Sequence, residues 1–141
     1  MTRMICTLFF ALVMLSSVAI CGYAAEPRTS DEIVTAFFKK IEAGAYENAF
    51  KTLFEESEMI KEKPQAIQTM IAQTSAAFSL YGKILSWEKI EEKPFGQSLK
   101  KTTYFMKTKY PVAWEFYFWK TEGRWSTIHV RFVDQVQLIF Q

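Results

Sequence analysis

The chain has 141 residues, half of them hydrophobic and 16% aromatic, and a formal net charge of +2. That length fits one domain, the apolar content excludes a disordered chain, and the balanced charge gives no case for a nucleic-acid partner.

Residues 1–24 differ in composition from the rest of the chain. Arg3 is the only charged residue before Glu26, and the run between them is apolar through Ile20 and then small and turn-like. A basic start, an apolar run and a small-residue end read as a secretory signal peptide, with cleavage after Ala24 placing Gly22 and Ala24 at the small-residue positions. Two other readings stay open. The uncharged run is long enough to span a bilayer as an uncleaved anchor. Cys21 could be the acylated residue of a lipoprotein, although Ile20 before it is not small. Both cysteines, Cys6 and Cys21, lie in this leader. The mature chain, residues 25–141, therefore has no disulfide, thiol nucleophile or thiolate metal site. It reads as a secreted or periplasmic domain held by its core, with no membrane contact beyond the leader.

Three helices are predicted next. Thr29-Ser30-Asp31-Glu32 fits a capping box, and Val34, Phe37, Phe38 and Ile41 recur at helical spacing up to Gly44. Tyr46, Ala49, Phe50, Leu53 and Phe54 mark a second helix. After a charged connector, Glu55–Lys63, Pro64 opens a third, with Ile67, Met70, Ile71, Thr74, Phe78 and Tyr81 on its apolar side and Gly82 at its end.

Beyond Gly82 the period falls to two. Strands are predicted over Lys83–Glu92, Leu99–Tyr110, Pro111–Lys120 and Trp125–Phe140, with turns at Pro94–Ser98 and Thr121–Arg124. Helices followed by long meandering strands make an α+β chain, three N-terminal helices packed on a curved four-stranded antiparallel sheet. Alternation sorts the faces. Tyr104, Met106, Tyr110, Trp114, Phe116, Phe118, Ile128, Val130 and Phe132 share the face that meets the helices. Phe105, Lys107, Glu115, Tyr117, Trp119, Thr127, His129 and Arg131 share the other. Trp125 falls with His129 if the strand is regular, whereas a bulge near the hairpin would flip it. Lys100, Lys101, Lys107 and Lys109 spread over both faces, and cross-strand pairing with Glu88, Glu91 and Glu92 is the better account of them than an anion site.

The order helix, Gly turn, helix, third helix, then antiparallel strands closing on Glu122-Gly123-Arg124-Trp125 resembles the nuclear transport factor 2-like (NTF2-like) superfamily. The residues that carry the likeness are Phe37–Phe54 and Thr121–Val130. The resemblance implies a cone, a sheet wrapped on helices with a cavity at the wide end. It also implies a range of uses: isomerases, dehydratases, small-ligand binders and dimers that associate through their sheets. Enzymes of this kind place a buried Asp or His in the cone. Here no cone-facing position titrates near neutrality. His129 alternates away from the cone, Asp134 reads as a strand-end carboxylate, and Glu115 reads as a partner for Arg131 or Lys107. No metal spacing, phosphate loop or nucleophile motif is present, so neither catalysis nor a cofactor is expected.

Two functional expectations remain. Phe105, Tyr117, Trp119, Trp125, His129 and Arg131 form an aromatic patch with a charged rim, the composition of a protein interface, and a homodimer would use it twice. The alternative is a carrier of a small apolar or aromatic ligand, with Tyr81, Tyr104, Met106, Trp114 and Phe116 lining the cone.

Overall fold

In a computed structural model, described over residues 27–135 and at 137 (backbone alone at 59 and 60), Thr29 caps helix α1, Ser30–Glu42. The predicted leader, and most of the predicted last strand beyond Gln135, lie outside these residues. The capping box forms in both directions. The Glu32 N–H donates to Thr29 Oγ1 at 3.2 Å, and the Thr29 N–H donates to Glu32 Oε2 at 2.7 Å. At the other end Gly44, at φ +72°, closes the helix. Its N–H donates to the Ile41 carbonyl and the Ala45 N–H to the Lys40 carbonyl, the paired bonds that a left-handed residue allows. Thr29→Ala is expected to cost about 1 kcal/mol, read as a lower urea midpoint at unchanged slope, because the cap satisfies a donor that the helix itself cannot.

Helix α2 spans Tyr46–Leu53, and α4 spans Pro64–Tyr81 with Pro64 in its first turn. Between them the predicted connector contains one helical turn, α3, Glu58–Lys61. Each of the longer helices turns its apolar side inward, and Phe37, Phe38, Phe50 and Phe78 enter one core.

The four strands are β1 (Ser86–Phe95), β2 (Leu99–Lys107), β3 (Pro111–Thr121) and β4 (Arg124–Val133), paired antiparallel in the order β1-β2-β3-β4. The molecule is thus α+β, with an open four-stranded antiparallel sheet. β1 begins at Ser86 instead of Lys83, and the last turn is only Glu122-Gly123, with Thr121 and Arg124 in the strands. The predicted boundaries shift in three further places. Pro94 and Phe95 belong to β1 instead of the turn, which is Gly96–Ser98, with Phe95 opposite Leu99. An edge strand tolerates Pro94 because its missing N–H has no ladder partner to lose. β2 stops at Lys107, and the Thr108 hydroxyl holds the following loop by donating to the Tyr110 carbonyl at 2.6 Å. β4 ends at Val133, so β3, with 11 residues, is the longest strand. The hairpin at Glu122-Gly123 has two central residues at φ +50° and +79°, as a two-residue turn between right-twisted strands requires.

Two bulges interrupt the ladders. One lies between Lys89 and Glu91, where Ile90 is the extra residue. The other lies opposite the Tyr117–Phe118 step, where Tyr117 faces His129 and Phe118 faces Thr127, leaving Ile128 extra. The core fills the space between the helices and the inner sheet face. Phe37 meets Trp114 edge-on at 5.3 Å and Phe116 at 5.7 Å, and Phe38 meets Tyr104 at 5.5 Å. Each such buried ring contributes on the order of 2–3 kcal/mol through apolar area removed from water.

Candidate functional site

The helices cover one face of the sheet and leave the other open, and four rows of side chains cross that outer face. Phe105, on β2, lies between Glu88 on β1 and Ala113, which in turn faces Val133, making a row near the Val133 end of β4 that is apolar apart from Glu88. Next comes a polar row, in which Thr103 and Glu115 lie between Glu91 and Arg131. The third row places Lys101 and Tyr117 between Lys93 and His129. The last, beside the hairpin turns, is Phe95, Leu99, Trp119 and Ser126. Its three large apolar side chains remain 48%, 37% and 45% exposed, a contiguous strip on three adjacent strands.

The polar row is a chain of ion pairs. Arg131 donates to Glu115 Oε2 through Nε at 2.7 Å and Nη2 at 2.6 Å. Lys101 Nζ lies 3.0 Å from Glu91 and 3.6 Å from the other Glu115 oxygen. The Glu115 side chain is only 7% exposed. Lys100 pairs with Glu92 at 3.3 Å. Both lysines thus pair across strands, as the sequence predicts. Glu91 is held below the ordinary carboxylate range and Lys101 above the ordinary lysine range, each chiefly by the hydrogen bond to the other.

Of the six predicted contact residues, five lie on the outer face: Phe105 and Tyr117 half-buried, Trp119, His129 and Arg131 exposed. The His129 ring packs on Tyr117 at 5.5 Å. Trp125 is the exception. The extra residue at Ile128 turns the strand's phase, so Trp125 packs against the core from the inner side, with Lys100 Nζ 4.6 Å from its ring. For the same reason Thr127, predicted outside, is buried beside Phe118, and Ile128, predicted inside, is the half-buried bulge residue. Phe95 escapes the sequence reading because Pro94–Ser98 has the composition of a turn, and Leu99, the first residue of a predicted strand, is assigned to neither face there.

The predicted cone lining separates into two parts. Tyr104, Met106, Trp114 and Phe116 are buried and packed on α1 and on one another. The Trp114 indole N–H has no hydrogen-bond partner among the described residues. Tyr81 lies elsewhere, against Tyr110 at 6.1 Å and Phe132 at 5.7 Å, with its hydroxyl donating to Asp134 at 3.0 Å. Tyr110, predicted to face the core, is exposed in the β2–β3 loop. Among the described residues no three His, Cys, Asp or Glu side chains cluster as metal ligands, and no helix is long and apolar enough to cross a membrane.

At the opposite margin of the inner face lies a polar cluster that local sequence pattern does not signal. Asp31, in the first turn of α1, accepts from Lys89 at 2.6 Å and from the Tyr104 hydroxyl at 2.9 Å. Burial pushes the Asp31 carboxyl up, but these two donors outweigh it and leave the group below its ordinary value. Burial and the Asp31 charge together push the Tyr104 phenol up. A carboxylate with a depressed folded-state pKa stabilises the fold above its unfolded value, and that stabilisation is lost as pH falls through the folded value. Urea midpoints between about pH 7 and pH 3 should therefore fall less steeply for Asp31→Asn than for the wild type.

Compared with protein-family models, with curated proteins and with solved structures, the chain matches none.

Proposed function

We propose that this is an exported, non-catalytic domain of the nuclear transport factor 2-like type, its sheet curved into that cone, that works by protein association, its outer sheet face meeting the same face of a second copy. The observation that carries the reading is the exposed strip of Phe95, Leu99 and Trp119 on the face that none of the described helices covers. Apolar strips of this kind, flanked by Tyr, Arg and Lys, have the composition of interface centres. The face is also self-complementary. A two-fold axis parallel to the strands, between β2 and β3, sets β1 over the second copy's β4. Leu99 then opposes the second copy's Trp119, and Glu91 opposes its Arg131. The match of Glu91 on β1 to Arg131 on β4 favours one orientation, as isologous contacts require, while Lys93 meets the second copy's His129.

Sedimentation velocity tests this directly. The wild-type domain should sediment as a concentration-dependent dimer. Trp119→Glu should raise the dimer dissociation constant by about 30-fold or more with unchanged circular dichroism, since replacing an interface tryptophan by a charge costs at least about 2 kcal/mol. A wild type that stays monomeric up to about millimolar concentration, the weakest association worth a specific surface, defeats the reading.

A further inference from the structure

At the end of the sheet away from the Phe95 strip, a second feature stands independently of association. Between the C-terminus of α4, the β2–β3 loop and the end of β4 lies a cleft of about 400 Å³, lined by Tyr81, Tyr110, Pro111, Asp134 and Gln137. That volume suffices for a small ligand, held in a shallow cleft that is open to solvent. The two phenol rings stand at 81° to each other with centroids 6.1 Å apart, so they form two walls of a corner. The Tyr81 hydroxyl bonds to Asp134, which fixes a carboxylate beside those walls. Backbone bonding fixes the corner as well, because the Lys109 N–H donates to the Tyr81 carbonyl at 3.1 Å and ties the loop to the helix end.

We infer that this corner binds a small organic cation of the quaternary-ammonium class. The faces of aromatic rings carry negative quadrupolar charge, and two faces at a right angle beside a carboxylate are the arrangement that attracts a diffuse, weakly hydrated cation. One ring already attracts a cation: Lys109 Nζ lies 5.4 Å from the Tyr110 centroid. A lysine ammonium is strongly hydrated and tethered by a flexible stem, so a methylated ammonium that enters the corner displaces it at little cost. Pro111 supplies an apolar floor for methyl groups, and Gln137 offers an amide to a hydroxyl or carbonyl on the ligand's tail.

Choline is a suitable probe, and 3,3-dimethylbutan-1-ol is its uncharged isostere. In amide-resolved NMR titrations of the mature domain, choline should produce saturable shifts at Lys109, Tyr110 and Asp134, and the isostere should bind about fivefold or more weakly, the difference expected of a cation on aromatic faces. Tyr110→Leu and Asp134→Asn, both at exposed positions, should each weaken choline binding by about fivefold with the rest of the spectrum unchanged. Equal binding of choline and its isostere would show an apolar cleft and overturn the proposal. So would choline shifts indifferent to Asp134→Asn, or the absence of any saturable shift.

Discussion

Trp114→Ala should lower the stability of the domain by about 4 kcal/mol, the upper end of what large-to-small core changes cost. Trp114 is 1% exposed and touches aromatic rings on every side: Phe132 at 5.0 Å, Phe37 at 5.3 Å, Phe116 at 6.2 Å and Phe78 at 6.5 Å. Neighbours held by two helices and two strands cannot collapse into the vacated volume, so a cavity term adds to the lost transfer energy. A domain of this size has only about 5–15 kcal/mol in total, so the variant would be near its threshold at 37 °C. Trp114→Phe should cost much less, about 1–2 kcal/mol, because it keeps a ring in place and removes an indole N–H that has no partner among the described residues. Urea unfolding measures both. A loss below about 2 kcal/mol for Trp114→Ala would mean that the ring borders open space, which is the outcome that an open cone demands.

The ion pair on the outer face should respond asymmetrically. Arg131→Met is expected to cost about 2–3 kcal/mol and Glu115→Gln about 1 kcal/mol, although both changes remove the ion pair between Glu115 and Arg131. The reason is where each partner is left. The Glu115 carboxylate is 7% exposed and would keep only Lys101, at 3.6 Å, as a cationic partner, whereas the Arg131 side chain is 57% exposed and can return to water. Double-mutant cycles under conditions that keep the protein monomeric isolate the pairwise energy. Equal losses for the two variants would contradict this account of the burial.

Much of the architecture is written in local pattern. The capping box, Pro64 and the Gly44 and Gly82 stops are short-range chemistry, and the inner aromatics of β2 and β3 follow strict alternation because those central strands pair without interruption. What escapes is non-local or irregular. A bulge has no residue signature of its own: the flip of Trp125 is foreseen only as an alternative, and the extra residue Ile128 that decides it also moves Thr127 to the opposite side. The spacing of three between Trp125 and Ile128, within an otherwise two-residue rhythm, is the available hint. The Phe95 strip is hidden because Pro-Phe-Gly reads as turn, and Pro94 is tolerated only where one side of the strand is unpaired. The contact of Asp31 with Tyr104 joins residues 73 apart, and that of Tyr81 with Asp134 joins residues 53 apart. No pattern of neighbours encodes either.

The two bulges bear on how large an assembly can grow. β1 and β4 are the margins of the sheet, and each has its ladder broken, at Ile90 and Ile128, with Pro94 further along β1. Such interruptions twist a border strand and remove the straight template on which another chain could add, so fibrous extension from copy to copy is discouraged. Under the proposed pairing, stacking through the outer face uses up that face once two copies have met, so a chain with an exposed aromatic strip is expected to reach high concentration without polymerising.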